Sequence, residues 1–257
     1  ASVYLSACFL QHEGILINAD WKGLEWFAAV LLSGDAEGRR EILAGIDQHS
    51  ENQRWLGFRS AVDGRLLAKK FVFRLIFGGS SYAYANDAEF SSLRFGEKQW
   101  QRVIDRFYDK YSGLKRWHDS LVEEAMRSGS LTIPTGRIYT FSPETRRGSL
   151  VWPRTTIINY PVQGFGAELM KVARLIYHRK IKALALTNAV LVSTVHDSLL
   201  TDSVMEVLTE VVEALYSTWE EVPAVFEKTY GFKIDLPARV EVSYGPNWKD
   251  QKEIMRV

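Results

Sequence analysis

Residues 15–20 read ILINAD and residues 190–197 read VLVSTVHD. Both runs are rich in apolar and β-branched side chains, which is typical of buried strands, and each ends in an aspartate. Taken alone, Asp20 or Asp197 would be an ordinary turn residue at a strand end. Together, and with a basic helical segment between them, they predict a candidate site on a sheet that both runs share.

The remaining patterns predict an α+β fold. Helices are expected at residues 24–32, within 53–76, at 97–127 with a break near 112–113, at 164–183 and at 204–226. Strands are expected as a pair in residues 1–20, as a hairpin at 129–141, around the second aspartate and at 238–244. This order describes a sheet subdomain that is interrupted by a helical insertion.

The composition limits the class of protein. With 257 residues and 46% hydrophobic side chains, the chain can form one large domain or two interleaved subdomains. The net charge is only +1, so any surface for nucleic acid must be local. Cys8 is the only cysteine, which excludes an internal disulfide and favours a reducing compartment such as the cytoplasm. Residues 1–10 are apolar but lack a basic flank, so we expect a strand there and no membrane partner.

A basic helix follows Gly64. Arg65, Lys69, Phe73 and Phe77 recur every four residues, so each lies about 40° around the helix from the last. Two cations and two aromatic rings on one face can bind phosphates at one end and stack on a base or sugar at the other. The alternative is an ordinary amphipathic helix with aromatic core residues and solvated cations.

The paired aspartates fit metal-assisted phosphoryl transfer. That reaction requires charge neutralisation on the attacking and leaving oxygens, which two divalent ions provide. Mg²⁺ prefers oxygen ligands, keeps several waters and needs only one or two protein carboxylates. Asp20 and Asp197 are therefore candidate metal ligands.

Three separated motifs carry a resemblance to the family A DNA polymerases. Residues 19–25 (ADWKGLE) resemble motif A, Arg65 to Gly78 resembles motif B with its R-x3-K-x3-F-x3-FG spacing, and residues 195–197 (VHD) resemble motif C. The similarity continues, in the family's order, through residues 47–49, 135–137, 159–164 and 240–248. It thus extends over nearly the whole chain.

The resemblance implies a template-directed DNA polymerase that adds deoxynucleotides to a primer 3′ end by two-metal-ion nucleotidyl transfer, with release of pyrophosphate. It implies a palm sheet with an inserted helical fingers subdomain: palm at 1–45, fingers and a connecting hairpin at 46–150, and palm again at 151–257. The expected partners are primer-template DNA and dNTPs. Nothing corresponds to the thumb or to a 3′–5′ exonuclease, so we expect these upstream or on a second polypeptide.

Roles for single residues follow from the same resemblance. Asp20, Asp197 and the backbone carbonyl of Trp21 would hold two Mg²⁺ ions, with Mn²⁺ as an alternative. Lys69 would also protonate the leaving pyrophosphate. The nucleotide would contact Arg65, Lys69, His49, Phe73, Glu25 and Phe77, with Glu25 crowding a ribose 2′-hydroxyl. DNA would contact Asn159, Gln163, His196, Arg154 and Arg137, the first two in the minor groove, where the acceptors are nearly the same for every base pair.

The sequence also departs from the family pattern. Ser198 stands where motif C usually has a glutamate, and Phe27 stands where motif A usually ends in an arginine. Phe77 replaces the usual tyrosine, and Arg154 lies one position further from Asn159 than the family arginine does. Two alternatives therefore stay open. One is a single-subunit RNA polymerase, against which Glu25 argues; the other is a catalytically idle, polymerase-like DNA-binding module. The expected location is the cytoplasm of a bacterial or phage-infected cell, with an organelle as the alternative.

Overall fold

The structure, a computed structural model, describes residues 14–58, 63–146 and 148–254. The strand predicted within residues 1–10 lies outside this part of the chain. The strands are β1 (Ile15–Trp21), β2 (Ser130–Thr132), β3 (Ile138–Thr140), β4 (Glu144–Arg146), β5 (Ser149–Val151), β6 (Ala189–Val195), β7 (Ser198–Ser203), β8 (Val240–Gly245) and β9 (Lys252–Ile254). The α+β prediction is confirmed.

The helices are α1 (Leu24–Ser33), α2 (Ala36–Ala44), α3 (Gln48–Leu56), α4 (Gly64–Ile76), α5 (Ser81–Ala85), α6 (Glu97–Lys110), α7 (Ser112–Ser128), α8 (Arg154–Ala183) and α9 (Leu208–Tyr230). Two short 3₁₀ turns, Ala88–Leu93 and Met205–Val207, complete the described helical segments. Among the helices of the described ranges, none has the length and apolar character needed to cross a membrane.

The largest sheet of the described residues has five strands in the order β6-β7-β1-β8-β9. All its pairings are antiparallel, and the central strand β1 pairs with β7 on one side and with β8 on the other. The two runs that end in aspartate therefore do belong to one sheet, as the sequence predicts. Ile15, Leu16 and Ile17 of β1 are buried, which accounts for the continuous apolar run.

Contacts along the chain divide it into two compact units. The first comprises residues 1–24 and 166–257 and contains the five-stranded sheet; the second is Glu25–Phe165 and contains most of the helices and both small hairpins. The palm and fingers boundaries expected from the sequence remain a prediction.

In the first unit, α9 contributes the main apolar face. Val211, Leu215, Trp219, Val222 and Phe226 are buried at helical spacing. The ring of Trp219 packs on that of Trp21, with centroids 5.9 Å apart. The last residue of β1 is thus fixed by the core beside the candidate site.

In the second unit, the core is an aromatic cluster around α4. Phe71 is fully buried and stacks on Trp100 at a centroid distance of 5.8 Å, and Tyr84 stacks on the same ring at 5.0 Å. Phe71 is the aromatic residue of α4 that enters this core. Phe73, two positions further along the helix, points to a different face and is 42% exposed. The helix therefore buries a different face from the one that carries Arg65 and Lys69.

The break between α6 and α7 is also confirmed, and a buried carboxylate explains it. Asp35 accepts hydrogen bonds from Gly113 N and Leu114 N at 2.7 and 3.1 Å, so it satisfies free N–H groups in the first turn of α7. It also caps α2 through Gly38 N at 2.8 Å. A Cβ at position 113 would lie 2.8 Å from the carboxylate, which accounts for the glycine.

Helix α8 begins at Arg154 and not at Gly164 as predicted. Pro161 favours a loop in the sequence, because an interior proline costs a helix about 3 kcal/mol. Its neighbours Ile157, Ile158 and Val162 are almost completely buried, and burial of each such side chain contributes roughly 1.5–3 kcal/mol. Tertiary packing therefore outweighs the local cost of the proline.

Other boundaries differ from the prediction as well. The helix predicted within residues 53–76 is α4, which starts at Gly64, and α3 ends before it at Leu56. The hairpin formed by β4 and β5 and the edge strand β9 were not predicted. Each of these strands is 3 residues long, which is too short for an apolar period to be recognised in the sequence.

Candidate active site

Asp20 lies near the C-terminal end of β1, the central strand of the main sheet. Its register partners are Ser198 on β7 and Glu241 on β8. The Ser198 hydroxyl donates a hydrogen bond to Asp20 Oδ1 at 2.6 Å. Burial raises the pKa of the Asp20 carboxyl, the bond from Ser198 opposes that rise, and the negative charges of Asp197 and Glu241 add to it.

Asp197 lies with His196 in the turn between β6 and β7. The backbone N–H of Trp21 donates to the carbonyl of Asp197 at 2.8 Å, which ties this turn to the end of β1. The Asp197 side chain is close enough to share a hydrogen bond with the Asp20 carboxyl and to repel its charge. His196 is exposed and adopts a left-handed backbone conformation with φ of 52°.

This carboxylate pair fits a divalent cation. Two partly buried groups of like charge repel each other, and a bound cation relieves that repulsion. Within the described ranges, His, Cys, Asp and Glu do not gather into metal-binding groups of three or more. Glu241, the nearest further carboxylate by register, forms an ion pair with Lys22. Two carboxylates satisfy Mg²⁺, which retains water ligands. The part expected of the Trp21 carbonyl remains a prediction.

The basic residues of α4 differ in their partners. Arg65 pairs with Asp47 at 2.8 Å, Lys70 pairs with Glu89 at 2.6 Å, and Arg74 pairs with Asp87 and Glu89. Lys69 is exposed, and no ion pair or hydrogen bond joins it to another side chain in the described part of the protein. It is the cation of this helix that is available to an anionic ligand.

Phe73, near the end of α4, and Phe77, directly after that helix, form an aromatic pair beyond Lys69. Their ring centroids are 4.8 Å apart and the rings are almost perpendicular, at 84°. Phe73 is 42% exposed, so its ring can be covered by a ligand. The interpretation of both aromatics as ordinary core residues does not fit Phe73. His49 lies in α3, and its predicted triphosphate contact stays a prediction.

Glu25 lies in the first turn of α1 and is partly buried. Phe27, two residues further, is 4% exposed and so belongs to the core. The phenylalanine that replaces the family arginine at this position therefore packs in the core. The role predicted for Glu25 at the nucleotide sugar remains a prediction.

The residues predicted to contact DNA, apart from His196, lie around α8. Asn159 and Gln163 are four positions apart on that helix and so share a face. Arg154 forms an ion pair with Asp119 at 2.9 Å, and Arg137 precedes β3 in the first hairpin.

The hairpin of β2 and β3 packs closely on α8. The rings of Tyr139 and Tyr160 have centroids 5.4 Å apart. A Cβ at Gly164 would lie 1.7 Å from the Tyr139 hydroxyl oxygen, so only glycine permits this approach. The glycine of the segment 159–164 therefore positions the hairpin that carries Arg137.

Two contacts of the site were missed in the sequence. The first is the bond from Ser198 to Asp20, for which the only signal was a hydroxyl directly after the motif C aspartate. The second is the pairing of Asp47 with Arg65, although Asp47 belongs to a segment that resembles the family. Both depend on strand register or helix packing, which sequence spacing does not reveal.

The chain is similar to known proteins of one family. The family model described as DNA polymerase family A matches residues 4–250. The chain therefore belongs to DNA polymerase family A.

The curated relatives include DNA polymerase I proteins from bacteria. The chain is 29% identical over 253 residues to the thermostable DNA polymerase I of Thermus filiformis. This alignment covers 95% of the chain and 28% of the relative. It is 29% identical over 249 residues to DNA polymerase I of Bacillus subtilis, covering 94% of this chain and 26% of the relative. The chain thus spans about a quarter of the length of these relatives.

A solved structure shows the same fold. It is the POL domain of Pol1 from M. smegmatis, in complex with DNA primer-template and dNTP. The match has a TM-score of 0.77 at 22% identity, and it covers 95% of this chain and 42% of the other.

Proposed function

We propose that this chain is the palm and fingers portion of a template-directed DNA polymerase. It adds a deoxynucleotide to the primer 3′ end: the 3′-hydroxyl oxygen bonds to the α-phosphorus and pyrophosphate leaves. The observation that carries this proposal is that the Asp197 carboxylate, in the turn between β6 and β7, lies close to the Asp20 carboxylate at the end of the central strand β1. Membership of DNA polymerase family A supports it.

Two Mg²⁺ ions, or Mn²⁺ ions, are the proposed cofactors. Asp20, Asp197 and the backbone carbonyl of Trp21 would hold them. When bound, such ions neutralise charge on the attacking and leaving oxygens. Burial raises the pKa of Asp20 and the repulsion between the two carboxylates adds to that rise, and this repulsion supports a cation at this point.

The dNTP is proposed to bind along α4. Lys69 binds the triphosphate and protonates the leaving pyrophosphate, and its lack of an ion-pair partner within the described residues supports this role. Arg65 and His49 assist at the phosphates. To bind phosphate, Arg65 would give up its ion pair with Asp47. The loss of stability is small, because exposed ion pairs contribute only about 0–1 kcal/mol.

The sugar and base of the dNTP are proposed to pack on Phe73, beside Phe77. Glu25 crowds the place of a 2′-hydroxyl and so favours deoxynucleotides. This is the residue that argues against a single-subunit RNA polymerase, because the RNA enzymes leave that position small.

Primer-template DNA is the proposed macromolecular partner. Asn159 and Gln163 read the minor groove, His196 lies by the primer terminus, and Arg137 and Arg154 contact the strands. The POL domain of Pol1 from M. smegmatis, which has the same fold, was solved in complex with DNA primer-template and dNTP, and this supports the assignment. The relatives extend well beyond this chain, so thumb and exonuclease regions upstream or on a second polypeptide are proposed to complete the enzyme. The bacterial relatives support a cytoplasmic setting.

Primer extension tests the proposal. Purified protein is incubated with a labelled primer-template, Mg²⁺ and either dNTPs or rNTPs. Extension with dNTPs and much weaker extension with rNTPs is the expected result. Efficient extension with rNTPs would indicate the RNA polymerase alternative. Binding of primer-template without extension in either mixture would indicate the idle module and contradict the proposal.

A further inference from the structure

Ser198 is built into the sheet directly opposite Asp20. It is the first residue of β7, its register partner on β1 is Asp20, and it is 7% exposed. Its hydroxyl oxygen lies 2.6 Å from Asp20 Oδ1. This distance is that of a hydroxyl donating to a charged carboxylate, which is among the stronger hydrogen bonds in proteins.

The bond has little freedom. The serine Oγ is one bond from a Cβ whose direction is set by the strand, so only its χ1 rotamer can move the donor. The register of β1 and β7 is fixed at this point, because the backbone N–H of Trp21 donates to the carbonyl of Asp197 directly beside the Asp20–Ser198 pair. The hydroxyl therefore fixes one oxygen of the Asp20 carboxylate relative to the backbone that carries Asp197.

The negative charges around Asp20 favour a neutral hydrogen-bond donor at position 198. Asp197 lies close enough to Asp20 for the two negative charges to repel each other, and Glu241 is the register partner of Asp20 on β8. A carboxylate at position 198 would add another negative charge at a largely buried position. A hydroxyl adds none and still holds the ligand.

We propose that Ser198 is a positioning residue, which orients Asp20 for binding a divalent cation together with Asp197 where the family pattern has a third carboxylate. This inference rests on the proposed function, because it assigns Ser198 to the same metal site. Outer partners that hold a metal ligand typically change metal affinity or activity by about 10–100-fold when they are removed.

The test compares Ser198→Ala with Ser198→Thr and Ser203→Ala. Ser198→Thr keeps the hydroxyl. Ser203→Ala removes a buried hydroxyl at the other end of the same strand, where Ser203 Oγ bonds only weakly to Val204 O at 3.4 Å. Binding of Mn²⁺ to each protein, without nucleotide or DNA, is measured by electron paramagnetic resonance, and single-turnover dNTP incorporation is measured across Mn²⁺ concentrations.

Ser198→Ala is expected to weaken Mn²⁺ binding about tenfold or more and to shift half-maximal incorporation to higher Mn²⁺ by a similar factor, with the dNTP concentration dependence unchanged at saturating metal. Ser198→Thr and Ser203→Ala are expected to bind Mn²⁺ like the wild type. Equal Mn²⁺ affinity of folded Ser198→Ala and Ser203→Ala would overturn the inference. If Ser198→Ala does not fold, Ser198→Cys, a weaker donor of similar size, is used in the same comparison.

The two proposals fail separately in this experiment. A wild-type protein that binds Mn²⁺ but extends no primer contradicts the proposed function, while the Mn²⁺ affinities of the variants still decide the role of Ser198. A wild-type protein that extends primers, with Ser198→Ala unchanged in both measurements, contradicts only the role of Ser198.

Discussion

The backbone N–H of Trp21 donates a hydrogen bond of 2.8 Å to the backbone carbonyl of Asp197. This bond joins the residue after one candidate metal ligand to the other candidate ligand. The separation of Asp20 and Asp197 is therefore set by main-chain pairing, which does not depend on the carboxylate groups themselves. Isosteric changes at either carboxylate should leave the local fold intact and report on chemistry.

Phe73→Tyr should raise the use of dideoxynucleotides. The family resemblance implies that phenylalanine here excludes nucleotides without a 3′-hydroxyl, because a tyrosine hydroxyl can replace the missing sugar oxygen. Phe73 is exposed enough to meet a ligand. The measurement is the ratio of ddNTP to dNTP incorporation in competition. An unchanged ratio would refute the contact between this ring and the sugar.

Glu25→Ala should raise ribonucleotide incorporation, because it opens space beside the sugar. Phe77 has no hydroxyl to orient Glu25, so Phe77→Tyr should sharpen discrimination by the ~1 kcal/mol of a net hydrogen bond. The rNTP-to-dNTP ratio of kcat/KM is measured for both variants. If neither changes it, Glu25 does not select the sugar.

Lys110→Met should lower the free energy of unfolding by roughly 3–5 kcal/mol, because it leaves Glu41 charged, buried and without its cation. The Lys110–Glu41 pair is 2.7 Å long, and the side chains are 7% and 1% exposed. Urea denaturation measures the change. Lys115→Met, which removes an exposed pair with Asp119, is the control and should cost only about 0–1 kcal/mol. Equal losses from the two variants would contradict the burial argument.

His118 should make the protein less stable in mild acid. Burial lowers the pKa of the fully buried His118 imidazole to about 3, from an ordinary value of 6.5. Between these two values the unfolded chain binds a proton that the folded protein does not, so stability falls as pH decreases from 6.5 towards 3, by up to about 1.4 kcal/mol per pH unit from this group.

Urea denaturation from pH 7 to pH 4.5 measures this slope. His118→Gln should reduce the slope, whatever its effect on stability at pH 7, whereas His178→Gln, a change at an exposed histidine, should not. Equal slopes for wild type and His118→Gln would show that His118 is not the group responsible.

The sequence predicted that the strands before Asp20 and Asp197 share one sheet, because apolar β-branched runs are local signals. It failed at the start of α8, where burial around Pro161 overrides a local helix breaker. It also could not separate Lys69 from Lys70 and Arg74, since the acidic partners of the latter two lie in a different segment, at Asp87 and Glu89. Ion pairing and strand register are tertiary properties, and they decide which residue of a motif is free to act.

Asp20 and Asp197 are proposed to hold the catalytic cations together. The most direct measurement is single-turnover dNTP incorporation by Asp197→Asn, with Asp202→Asn on the neighbouring strand β7 as the matched control. Asp197→Asn should lose at least ~3 kcal/mol of transition-state stabilisation, roughly a hundredfold or more in rate, while Asp202→Asn stays close to wild type. Near-normal incorporation by a folded Asp197→Asn protein would contradict the account.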